Sequence, residues 1–354
     1  MKKLVSVIII LFSINFTFAQ SSQQKPLPQT EYVKMLYDLQ KNPGSKDDLI
    51  EAIRKRGIAF DLTDGLRGLT RTKSKNDSEL QRTLEEANRR RQNPNAAQLP
   101  SEKEAKEVLE KTRTNTLTAV EEMPDFTVKQ VVSRSDAYAG TNNFRSLDRL
   151  VVAVNYRSSG QEEYKLLSRN GILENNPTAK QTYSEAGGTS STGEFVTVLA
   201  KIFKPESDTK FETVDTDTIR NRPTIIFSYS IVRDKARQQI TASGAFDDSV
   251  ITGMEGKIWI DRADFRVLRV ESAATEIPES FRIRSANRTI DYDWVTIADE
   301  KYLLPSLSDV RLTSRENSRL YETRNVIRFK DYQKYGSEVK IVEEDDVQEE
   351  KPQQ

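Results

Sequence analysis

The chain has 354 residues, in which 54 Lys and Arg balance 54 Asp and Glu, and it contains neither histidine nor cysteine. The balanced charge gives no net field to draw nucleic acid or a membrane surface. Without histidine or cysteine there is no Ser-His-Asp or Cys-His triad, no imidazole base, no usual zinc ligand set, no disulfide and no acylated lipoprotein cysteine, so any catalysis would rest on carboxylates, Lys, Tyr or Ser.

Lys2 and Lys3, the apolar run Leu4 to Phe12 and the small-residue end Thr17-Phe18-Ala19 predict a signal peptide over residues 1–19, cleaved after Ala19. The run is shorter than the ~20 residues that span a bilayer. No later segment approaches that length, so the expected mature chain has no transmembrane segment and is exported, to the periplasm or the outside. Residues 20–30, rich in Gln, Ser and Pro, read as a flexible leader.

Residues 31–92 carry short helical stripes and form an expected helical interaction module. Tyr32, Leu36 and Leu39 make one stripe ending at Asn42-Pro43-Gly44. Ser45 opens a second helix through Leu49, Ile50 and Ile53, stopped at Gly57. Thr63 or Asp64 starts a third, and Ser78 with Gln81 is a capping box for a fourth, with Leu80, Leu84 and Ala87 inward and Glu85 and Glu86 able to pair with Arg89 and Arg90. About sixty residues is near the lower limit for independent folding.

Residues 93–100 read as a linker, and Ser101 with Glu104 caps a helix that Pro124 stops. From Phe126 the period becomes two, with strands expected at 126–134, 149–157, 162–168, 223–232, 236–242, 256–261, 265–273, 287–297, 301–313 and 319–330. Short polar turns between consecutive strands indicate an antiparallel meander. Phe195, Val198, Leu199, Ile202 and Phe203 have helical spacing, with Ser191 and Glu194 as a capping box and Pro205 as the stop. A strand is the competing assignment there. The fold class is therefore α+β: a small N-terminal helical module, then an antiparallel β half-barrel over 101–341 covered by helices, and an acidic disordered tail over 342–354.

In "GKIWIDRADFRVLRVES" (256–272), Ile258 and Ile260 point opposite to Lys257 and Asp261, and Leu268 and Val270 continue the pattern. This predicts a hairpin with one wet and one dry face. The Gly-rich 184–195 lacks the Gly-Lys-Ser/Thr ending of a phosphate loop. Asp291 and Asp293, on one strand face with Tyr292 and Trp294 on the other, have a spacing compatible with a glycosidase pair, but a half-exposed strand shows the same pattern. Neither they nor Asp215 and Asp217 belong to a loop of spaced calcium ligands. No cofactor or metal site is expected.

The blocks "MPDFTVKQVVSR", "EEYKLLSRNG", "STGEFVTVLAKIFKPESDTKFE", "GKIWIDRADFRVLRVE", "IPESFRI", "DYDWVTIADEKYLLPSLSDV" and "RNVIRFKDYQKYGSEVKI" resemble those of a family of uncharacterised exported bacterial proteins over residues 117–341. More distantly, the helix, the meander and the hairpin at 256–271 are similar to periplasmic lipoprotein carriers and their outer-membrane receptor. That resemblance implies an open half-barrel sheltering acyl chains beneath helices, though the carriers' inner-face Arg has no counterpart that can be placed. "KDDLIEAIRKRGIAFDLTDGLRGL" (46–69) is similar to a short helical module found beside varied bacterial domains, which implies a protein partner through residues 31–92.

The expectation is a non-enzymatic envelope protein that binds a lipid, a lipidated protein or another apolar ligand. Its cavity would be lined by Phe195, Leu199, Ile202, Phe203, Phe227, Tyr229, Ile258, Ile260, Leu268, Tyr292 and Trp294. An envelope scaffold with a fully packed barrel is the alternative, and a carboxylate enzyme acting on polysaccharide the third.

Overall fold

The structure, a computed structural model, describes residues 25–92, 94, 98–173, 188–190, 192–195, 197–242, 248–316 and 319–335. The expected signal peptide, the leader up to residue 24 and the acidic tail lie outside them. Residues 25–30 are tied down rather than loose: Leu27 is buried and bridges to Ile58.

Four helices make the N-terminal module: α1 (Gln29–Lys41), α2 (Lys46–Arg56), α3 (Asp64–Lys73) and α4 (Ser78–Gln92). The predicted stripes of Tyr32, Leu36, Leu39, Leu49, Ile50, Ile53, Leu80, Leu84 and Ala87 share one core. Two caps differ from expectation. The Ser45 hydroxyl donates back to the Asn42 carbonyl instead of capping α2. In α4 the cap is Asp77, whose Oδ1 accepts from Leu80 N at 2.9 Å, a carboxylate being favoured at a helix N-terminus.

The second unit is an open antiparallel sheet of twelve strands preceded by α5 (Glu102–Glu121). In chain order the strands are β1 (Phe126–Tyr138), β2 (Arg145–Tyr156), β3 (Glu162–Arg169), β4 (Ile172–Leu173), β5 (Lys210–Ile219), β6 (Arg222–Ile231), β7 (Gln238–Ala242), β8 (Asp248–Asp261), β9 (Val267–Thr275), β10 (Ile283–Ile297), β11 (Glu300–Glu316) and β12 (Arg319–Lys334). Their lateral order is β4-β3-β2-β1-β12-β11-β10-β9-β8-β6-β5, with β7 beside β8. The ends do not pair, so the sheet is not closed. Helix α6 (Thr197–Phe203) is the predicted amphipathic helix, begun four residues later than the expected 193; Ser191 of its expected capping box lies outside the described residues.

Helices α5 and α6 lie on one face of the sheet, burying Val108, Ile202 and Phe203 against Phe227, Ile258 and Tyr292. The module covers the other face over the turn end of the β8–β9 hairpin. The hairpin of β8 and β9 is therefore not wet on one side: Trp259, Asp261, Leu268 and Arg269 are all buried. Leu268 also faces away from Val270. The register slips between Trp259↔Arg269 and Ile260↔Val267, leaving Leu268 as the extra residue of a bulge that turns its side chain to the module side.

Candidate functional site

The inner face, where an apolar cavity was expected, is filled by its own side chains. Ile202, Phe203, Phe227, Tyr229, Ile258, Ile260 and Tyr292 are each at most 3% exposed and form one cluster, with Leu199 packed beside it. Phe195 belongs to the neighbouring cluster, where its ring meets Phe126, Tyr156 and Phe329 at 5.3, 6.0 and 5.6 Å. Leu268 is on the opposite face, and Trp294 is 42% exposed. The expected lining is thus core, except Trp294. A cleft of about 380 Å³ stays open on this side between α5 and β5, floored by Ala105, Leu109, Phe203, Phe211 and Phe227.

On the outer face the contact with the module is built from charge. Arg82, Glu86 and Arg90 recur every four residues along α4, so they form one stripe. Arg269 is buried beneath it, donating to both Glu86 oxygens at 3.0 and 2.8 Å and to Asp291 Oδ1 at 2.5 Å. Arg82 reaches the other Asp291 oxygen at 3.3 Å. Arg90 donates to the carbonyls of Thr216 and Arg54, each at 2.8 Å, and Arg54 donates to Glu271 at 2.7 Å. Trp259 lies under Arg54 and Arg269, 5.6 and 5.5 Å from its ring, and its indole N–H donates to Asp217 at 3.1 Å.

These surroundings set the carboxyls. Burial raises Asp291, but Arg269 and Arg82 outweigh it and hold the group below its ordinary value. Glu79, half-buried, is brought down to about 2 by Lys46 and Arg54, which outweigh its desolvation. Asp217 has no such cation in contact, and burial, with Glu86 nearby, pushes it up to about 6. Asp291 is locked between two guanidinium groups, and Asp293, on the same strand, has Arg220 at 3.8 Å. Among the described residues no group of three acidic side chains is placed to hold a metal ion.

The module does not cover the whole outer face. Between the starts of α2 and α4 and the sheet runs a trench of about 800 Å³. It crosses seven strands, from β5 through β6, β8, β9, β10 and β11 to β12. At a strand spacing of about 4.8 Å its length is roughly 29 Å. Lys46 and Glu79 form its roof, joined at 2.8 Å, and Arg311 lies between Asp77, Asp309 and Glu322 at 3.6–3.7 Å. Its floor carries Ser228, Ser230, Ala273, Asn287 and Thr289. None of these residues stood out in the sequence, because small polar residues on a strand look like an ordinary solvated face.

No family model matches the chain, and no curated protein matches it. Among solved structures it is similar to a Pseudomonas aeruginosa MucA/MucB complex, at 9% identity over 62% of this chain and 93% of that one, with a TM-score of 0.18. A MucB in complex with MucA(peri) gives 10% identity, 62% and 92% coverage and a TM-score of 0.16. Likenesses this loose carry no argument about function. No helix among the described residues is long and apolar enough to cross a membrane.

Proposed function

We propose that this is an exported, non-enzymatic protein that works by contact with another protein. The observation that carries the proposal is the filled inner face. Seven of the eleven residues expected to shelter an apolar ligand are packed against one another at 3% exposure or less. Well-packed protein interiors leave few voids larger than a water molecule, so a lipid could enter only by displacing these side chains. The trench between the module and the sheet is instead lined mostly by polar and charged side chains.

A second role, binding one small apolar chain, is favoured by the aromatic floor of the 380 Å³ cleft beside α5. Native mass spectrometry of the full chain, purified from its own envelope without detergent and then offered oleate and phosphatidylglycerol, separates the two. The expected result is the bare protein mass with no uptake. A discrete bound species that leaves on organic extraction would overturn the protein-contact proposal in favour of the cleft.

A further inference from the structure

We infer that the trench between the module and the outer face of the sheet binds an extended, mixed-charge polypeptide segment of about eight residues, with a basic residue at the end over β5 and β8. The inference rests on the protein-contact reading above and names the surface and the partner's chemistry.

Length and shape come first. A strand advances about 3.4 Å per residue, so roughly eight residues fill the 29 Å between β5 and β12. The floor across the middle strands is made of short side chains, Ser228, Ser230, Ala273, Asn287 and Thr289, which leave room for a backbone to lie close. Their hydroxyl and amide groups suit the amides of an extended chain, which must be satisfied wherever water is excluded.

The chemistry of the walls removes other occupants. Among the described residues the only aromatic side chain in the lining is Tyr229, which is buried and donates its hydroxyl to the Glu271 carbonyl, so they present no ring for a sugar to stack on. Among the described residues no large aliphatic side chain lines the trench to receive an acyl tail. Acidic side chains are at least as numerous as basic ones, which opposes a nucleic acid backbone. The partner must present both signs of charge.

Orientation follows from which charges are already engaged. In the inner half, Lys46 is joined to Glu79 and Asp309 to Arg324 at 2.8 and 2.6 Å. At the β5 and β8 mouth the acidic groups Asp47, Glu212 and Glu255 outnumber Lys210 and Lys257 by three to two; Glu212 and Glu255 are exposed, Asp47 lies 3.8 Å from Lys46, Lys210 is joined to Asp208 at 2.9 Å, and Lys257 is half-buried. That end is complementary to a cation on the ligand.

The test is selection from a displayed library of random ten-residue peptides on the full chain, with binding of the enriched peptides measured by fluorescence anisotropy. Ser230→Trp and Asn287→Trp block the floor at exposed strand positions where Trp is readily accommodated, and Glu255→Lys reverses the mouth. Enriched peptides should carry Lys or Arg at one end, lose at least tenfold in affinity on either Trp variant, and weaken on Glu255→Lys, with circular dichroism unchanged. Peptides that bind the Trp variants as well as the parent overturn the trench while leaving a protein-contact function in place. Absence of enrichment, with a lipid found by native mass spectrometry, overturns both.

Discussion

Asp217 is a buried carboxyl of the module interface whose proton is held by its burial. Its folded value of about 6 exceeds the ordinary 3.8, so the native state holds its proton more tightly than the unfolded chain does. The resulting stability is fully present below pH 3.8 and is lost as pH rises through 6; above that, charging the group costs ~2–3 kcal/mol. Asp217→Asn keeps an acceptor for the Trp259 indole and removes the charge. It should raise stability by about that amount at pH 8 and leave it nearly unchanged at pH 3.5, as read from urea unfolding at the two pH values. Glu79 acts oppositely: its value of about 2 supplies stability above pH 4.5 that is lost as pH falls through 2. Gly256 shows a steric constraint at the same scale. A Cβ there would lie 1.9 Å from the Glu271 carbonyl oxygen, so the backbone of β9 would have to move. Gly256→Ala should destabilise by about 3 kcal/mol, measured by the shift of the urea midpoint.

Elements with an apolar stripe or an apolar alternation were legible in the sequence, because burial on one face leaves a period. The four module helices, α5, α6 and most strands are of this kind. β5 was not, since Lys210, Glu212, Asp215 and Asp217 are residue types depleted in strands; it is held by pairing with β6 and by Arg90. The bulge that turns Leu268 over was also invisible, because it depends on the register between two strands and not on either alone. The α4 stripe failed for a different reason: Arg82, Glu86 and Arg90 have the spacing of a solvated helix face, and only their partners on the sheet mark them as an interface. That contact should behave as a buried ion network. Arg269→Met leaves Glu86 buried without its cation and should cost about 4 kcal/mol, whereas Arg269→Met with Glu86→Leu should recover most of the loss. A double-mutant cycle in urea checks it; equal losses in the single and double variants would show that Arg269 acts through packing alone.

At the scale of the molecule the architecture is three layers: module, sheet, and the pair α5 and α6. The module's apolar core contains no sheet residue, and the small outer-face cluster of Ile219, Ile226, Trp259 and Leu268 contains no module residue. What joins them is the charge network together with the stacking of Arg54 and Arg269 on Trp259. The module should therefore separate without unfolding the sheet when the network is reversed. The chain has two tryptophans, so Trp294→Phe leaves Trp259 as the reporter. Adding Glu86→Lys should make Trp259 several-fold more quenchable by acrylamide and shift its emission to the red, with the far-ultraviolet spectrum retained. A Trp259 that stays protected in a folded protein would show that the module is held by other means.

The way the sheet ends also has a bearing on how the protein behaves at high concentration. One end is β4, only two residues long. The other is β5, where Arg90 occupies the Thr216 carbonyl, the register slips beside Val214, and Lys210 and Glu212 place charge on the rest. Short, bulged, charged or covered margins are how open sheets avoid recruiting strands from neighbouring molecules. The module therefore serves as a guard against self-assembly as well as forming a trench wall. A chain deprived of α1–α4 would present bare backbone along β5, and its expected fate is edge-to-edge polymerisation.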